Sequence, residues 1–85
     1  MRFPAEVEDE ITRRLRRLEG QIRGVQRMLE EGADCGAVVT QLSACKAALD
    51  KVGYRLFAAS MRYCADDPGS ELDADELERL FLKLS

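Results

Sequence analysis

The chain has 85 residues and no histidine, which leaves room for one small domain and removes the commonest metal ligand and the usual general base. Three cysteines, an odd number, do not suit a disulfide framework. With no apolar run long enough for a membrane and no signal-peptide core behind Met1-Arg2-Phe3-Pro4, a cytoplasmic protein is expected. The net charge of −3 hides an asymmetry, because residues 11–29 carry six arginines against Glu19 alone while both ends of the chain are acidic.

The first predicted helix covers about residues 8–31. Ile11, Leu15, Leu18, Ile22, Val25 and Leu29 recur at alternating spacings of four and three, a coiled-coil-like seam. Gly32 is placed to stop this helix and Asp34 to cap the next. Measured from Ile11, the residues Arg13, Arg16, Arg17, Gly20, Arg23, Gly24 and Arg27 fall between about 120° and 240°, with Arg14 on their flank. They form a ridge opposite the seam. Most such runs are solvated helix faces, but two features point to an anionic partner. The ridge is nearly all arginine, suited to bidentate phosphate contacts, and it holds two glycines that each cost about 1 kcal/mol against alanine. Glycines on a charged face permit close approach by a partner helix or a phosphate backbone.

The second predicted helix, about residues 35–64, keeps the rhythm through Cys35, Val38, Leu42, Cys45, Leu49, Val52, Leu56, Ala59 and Tyr63. Val39, Ala48 and Phe57 widen its apolar stripe, so it is expected to pack on several neighbours. Lys51, Arg55 and Arg62 face outward and extend the basic patch. Cys35 and Cys64 lie 29 residues apart, which is eight turns plus about 20°, so both thiols point to one side yet stand roughly 44 Å apart. They can cooperate only between subunits, as in an antiparallel pair of these helices crossing near Leu49 and Asp50. Cys45 is offset from Cys35 by about 80° and reads as a small core residue. After a break at Asp66-Asp67-Pro68-Gly69, Asp73 and Glu76 suit the start of a third helix over about 74–84, with Leu77, Leu80, Phe81 and Leu84 on one side.

No strand pattern or repeat is present, so the expected fold is all-α: one domain over residues 1–85, a long antiparallel hairpin that dimerises into a four-helix core, with pairing of dimers to follow.

The stretch Arg14-Leu15-Arg16-Arg17-Leu18-Glu19-Gly20-Gln21-Ile22-Arg23-Gly24, and Gln41-Leu42-Ser43-Ala44 followed by Ala47-Ala48-Leu49-Asp50-Lys51, resemble the CsoR/RcnR family of bacterial repressors over about residues 10–65. The resemblance implies a homodimer or homotetramer of helical hairpins that binds operator double-stranded DNA across arginine-rich faces and releases it when an intersubunit site is filled. Arg13, Arg14, Arg16, Arg17, Arg23, Arg27 and Lys51 are the expected DNA contacts. Cys35 and Cys64 match the two cysteines of the family's copper sensors, whereas the histidine position holds Ser60, a poor ligand for Cu(I). The nickel and cobalt sensors need histidines that this chain lacks. The formaldehyde sensors use an N-terminal proline where this chain has Arg2, with Pro4 two residues on.

A dithiol without histidine, preceded by Gly32-Ala33-Asp34, resembles the persulfide-sensing branch. The expected chemistry is therefore attack by one thiolate, Cys35 in the first turn of its helix, on a reactive sulfur species. Cys64 of the partner subunit then resolves the product into a di- or polysulfide, with no cofactor. The alternative is a two-coordinate Cu(I) site on the same cysteines. A purely structural helical module is a third reading. An enzyme fits least, because the chain has no phosphate loop and no nucleophile–base pair.

Overall fold

The computed structural model describes residues 2–63 and 73–84 and contains three helices, α1 (Ala5–Glu30), α2 (Cys35–Tyr63) and α3 (Ala74–Leu82). The expected helical class is met, with no strand among the described residues. Helix α1 begins at Ala5 rather than near residue 8. The carbonyl of Pro4 accepts the N–H groups of Val7 and Glu8 at 3.0 and 3.1 Å, and Glu6 and Glu8 sit in the first turn, where the helix dipole favours them. Arg2 clasps Glu8 at 2.8 Å, and Phe3, Val7, Ile11 and Leu56 line one cavity.

The turn between α1 and α2 closes as expected. Gly32 takes φ +72°, its N–H reaches the Leu29 carbonyl, and the N–H of Ala33 reaches that of Met28 at 2.9 Å. That is the paired bonding of a left-handed glycine cap. Asp34 then starts α2, its Oδ2 accepting the Gly36 N–H at 3.0 Å and its carbonyl accepting that of Val38. Four residues of connection return the chain antiparallel to itself, in a molecule measuring 53 × 24 × 14 Å.

Packing divides the seam of each long helix. On α1, Ile11, Leu18 and Val25 are buried, while Leu15, Ile22 and Leu29, one heptad position away, stay open to solvent. On α2, Cys45, Val52 and Ala59 are buried, while Leu42 and Leu49 are more than half exposed. The inner stripes meet: Leu18, Val25 and Cys45 form one cluster, flanked by Val38 and Ala48. The outer stripes run along the same molecule without cover. At the far end, a bidentate contact from Arg55 to Glu10, at 2.9 and 3.0 Å, ties α2 back to the first turns of α1.

Helix α3 packs on α2 alone. Asp73 caps it through Oδ1 to the Glu76 N–H at 2.9 Å. Leu77 is buried, and Phe81 meets Phe57 edge to face with centroids 5.2 Å apart. The Leu84 side chain passes so near Gly53 that a Cβ there would lie 3.2 Å from it, so this glycine admits the end of α3. The helix itself stops at Leu82, two residues short of expectation, and the expected break at 66–69 lies outside the described residues. No helix among the described residues is long and apolar enough to cross a membrane.

Candidate functional site

The first turn of α2 presents Cys35 to solvent as a free thiol, next to the Asp34 cap that fixes the helix start. Cys45 is 5% exposed within the hairpin core, as its place on the apolar repeat predicts. Ser60 is buried, at 3% exposure. Cys64, the second expected thiol, lies outside the described residues, one position beyond the last residue of α2. Among the described residues no three His, Cys, Asp or Glu side chains converge in a way that would hold a metal. Of the cysteines among the described residues, Cys35 alone is exposed as a soft donor.

The second feature is cationic. Arg13, Arg14, Arg16, Arg17, Arg23, Arg27 and Lys51 are all exposed, the arginines along α1 and Lys51 on α2. A Cβ added to Gly20 or Gly24 meets nothing within 4 Å, so nothing within the single chain requires these two glycines. Their open backbone stretches lie within the arginine ridge.

Between the two long helices, Arg14, Asp50, Lys51, Tyr54 and Arg55 line a cleft. Glu10 stands at its edge, taking both hydrogen bonds from Arg55 and lying 3.8 Å from Arg14. The Arg55 hydrogen bonds, with further attraction from Arg14 and Arg13, hold the Glu10 carboxyl below its ordinary range against a smaller desolvation effect. Asp50 is drawn to Lys46 at 3.4 Å. The sequence places Arg55 on the outward face but does not reveal Glu10 as its partner. The two are 45 residues apart, and only the register of the hairpin brings them together.

The described residues form an all-helical hairpin with a solvent-facing thiol at one end and a cationic ridge along its back. The chain belongs to the family described as metal-sensitive transcriptional repressors, whose model matches residues 7–83. It is 37% identical over 68 residues to the copper-sensing transcriptional repressor CsoR of Bacillus subtilis, covering 80% of this chain and 67% of that protein. It is 45% identical over 56 residues to the copper-sensing transcriptional repressor RicR of Mycobacterium tuberculosis, covering 66% of this chain but 58% of that one. The crystal structure of the copper-sensing repressor CsoR with Cu(I) from Geobacillus thermodenitrificans superposes with a TM-score of 0.78 at 32% identity, covering 99% of this chain and 88% of the other.

These relatives are repressors and not enzymes, and they correct one expectation. The expectation of no cofactor, with Cu(I) as its alternative, is overturned in its first part: the relatives are copper sensors and the solved one contains Cu(I). The physical reason lies in the ligand: two soft thiolates can hold Cu(I), so a missing histidine is no ground for expecting none. The family resemblance is confirmed. Its assignment to the persulfide-sensing branch finds no support in these relatives.

Proposed function

We propose that this protein is a Cu(I)-responsive repressor whose inducer site is formed by Cys35 of one subunit and Cys64 of the partner subunit. The observation that carries this reading is the exposed Cys35 thiol at the start of α2, in a chain whose relatives sense copper. Helix α2 is unbroken over 29 residues, so its ends are about 42 Å apart and a site using both cysteines must span two chains. The uncovered outer stripes, Leu15, Ile22 and Leu29 on α1 with Leu42 and Leu49 on α2, supply an apolar surface for that pairing.

Cys35 and Cys64 of the partner subunit would hold Cu(I) at such a site, and the ion would supply a bond between two thiolates of different subunits. The remaining work falls to residues of the chain. Asp34 fixes the helix start and so the direction of the Cys35 side chain. Ser60 stays packed inside the fold and leaves coordination to sulfur. The exposed cations Arg13, Arg14, Arg16, Arg17, Arg23, Arg27 and Lys51 hold operator double-stranded DNA through its phosphates. Linking the subunits at Cys35 changes the angle between the arginine faces, and contacts that must all fall in register on one duplex are lost together.

The test is anaerobic Cu(I) titration of reduced protein against a colorimetric chelator. Tight binding is expected for the wild type and for Cys45→Ala, and its loss for Cys35→Ser or Cys64→Ser. Equal affinity in all four proteins contradicts the site. A second reading, sensing of reactive sulfur by the same two thiols, is favoured by one observation: serine stands where copper sensors carry a histidine. A covalent dimer containing added sulfur after treatment with a persulfide donor, together with no Cu(I) uptake, selects it.

A further inference from the structure

The cleft between α1 and α2 contains more chemistry than a solvated ridge requires. Three cations, Arg14, Lys51 and Arg55, line it together with Tyr54. Two carboxylates accompany them, and they are engaged differently. Asp50 is drawn away by Lys46, one turn earlier on the same helix. Glu10 instead presents both oxygens to the Arg55 guanidinium, one accepting from Nε and the other from a terminal nitrogen. That planar, bidentate arrangement is the one a guanidinium also makes with two phosphate oxygens. Lys51 pairs with no carboxylate among the described residues. The pair is reachable from outside, with the Arg55 side chain half exposed and that of Glu10 30% exposed.

We propose that this cleft is a phosphodiester site, in which Arg55 exchanges its carboxylate partner Glu10 for a DNA phosphate that Arg14 and Lys51 also hold. It rests on the DNA-binding reading and adds to it a specific pocket and a built-in competitor. In the free protein Glu10 keeps Arg55 oriented toward the cleft and its charge compensated. On DNA, the phosphate takes the two guanidinium hydrogen bonds and Glu10 is left to solvent. Glu10 thus orders the site while lowering its affinity, a brake on unspecific binding to any polyanion.

The test is fluorescence anisotropy with a mixed-sequence double-stranded DNA, across a salt series, on the full chain. Glu10→Gln is expected to bind about 3- to 10-fold tighter than wild type. Removing a negative charge anywhere raises affinity slightly, so Glu19→Gln, on the same helix outside the cleft, measures that general effect. The excess gain of Glu10→Gln over Glu19→Gln should vanish in a background of Arg55→Gln, and the logarithmic salt slope should fall by about one in that background. Should Glu10→Gln loosen the hairpin, the wild-type protein still reports through the Arg55 Nε–H resonance, which is expected to shift when DNA is added. Equal gains from Glu10→Gln and Glu19→Gln, or an unmoved Arg55 resonance while DNA is bound, overturn the inference and leave the DNA-binding reading standing. No DNA binding by any variant overturns both.

Discussion

Cys35 and Cys45 stand ten residues apart on one helix and meet opposite surroundings, the first open to solvent and the second closed in the core. The sequence puts both on one apolar repeat, offset by about 80°, and marks only Cys45 as a core residue; it is the packing that closes Cys45 in with Val52 and Ala59 and leaves Cys35 open at the helix start. Cys35→Ser is therefore expected to abolish the response to inducer while leaving thermal stability and DNA affinity near wild type. Cys45→Ala is expected to keep the response and to lose on the order of 1 kcal/mol from the small cavity it leaves, read by urea unfolding. Glu10 was not legible as a clamp, since its partner comes from the far helix. Because the Arg55 hydrogen bonds lower its pKa in the folded chain, its contribution to stability is complete above the ordinary carboxyl value of 4.5 and disappears as pH falls through the depressed value. Unfolding midpoints measured between neutral and acid pH should fall less steeply for Glu10→Gln than for wild type.

The helices carry their boundary signals in the sequence, and most of these act as written. Gly32 takes the left-handed conformation that the end of α1 needs, so Gly32→Ala should cost about 1 kcal/mol or somewhat more without changing helix content. Asp73 caps α3 through the Glu76 N–H, and Asp73→Ala should cost about 1 kcal/mol. That loss should appear as faster amide exchange in α3 than in α1 or α2, because α3 rests on one neighbour. The boundary missed at the start of α1 has a definite cause. Hydrophobic periodicity begins only near Ile11, while the turn before it is held by the Pro4 carbonyl and by acidic residues near the helix dipole, which no apolar pattern shows.

At the scale of the whole molecule, a single chain leaves much of its apolar seam uncovered. None of the described side chains is less than 2% exposed, and Leu29 is 64% exposed despite lying on the seam. Gln21 Oε1 is buried with no donor among the described residues, a deficit of about 1–3 kcal/mol. The account therefore expects thermal stability to rise with protein concentration. Leu49→Glu, at the centre of the outer stripe, should shift sedimentation from dimer or larger to monomer. The alternation of four and three predicts the stripes, but a seam wide enough for two neighbours does not say which half each neighbour takes. Only the hairpin's own packing, with Leu18 and Cys45 inside and Ile22 and Leu49 outside, decides that.

In the proposed function, copper at Cys35 controls the grip of the arginine faces on DNA. Its most direct test follows DNA-bound protein by anisotropy during anaerobic Cu(I) addition. Wild-type protein should be released near one Cu(I) per subunit, and Cys35→Ser should stay on DNA throughout. Wild-type protein that keeps its DNA at saturating Cu(I), or Cys35→Ser released as readily as wild type, contradicts it.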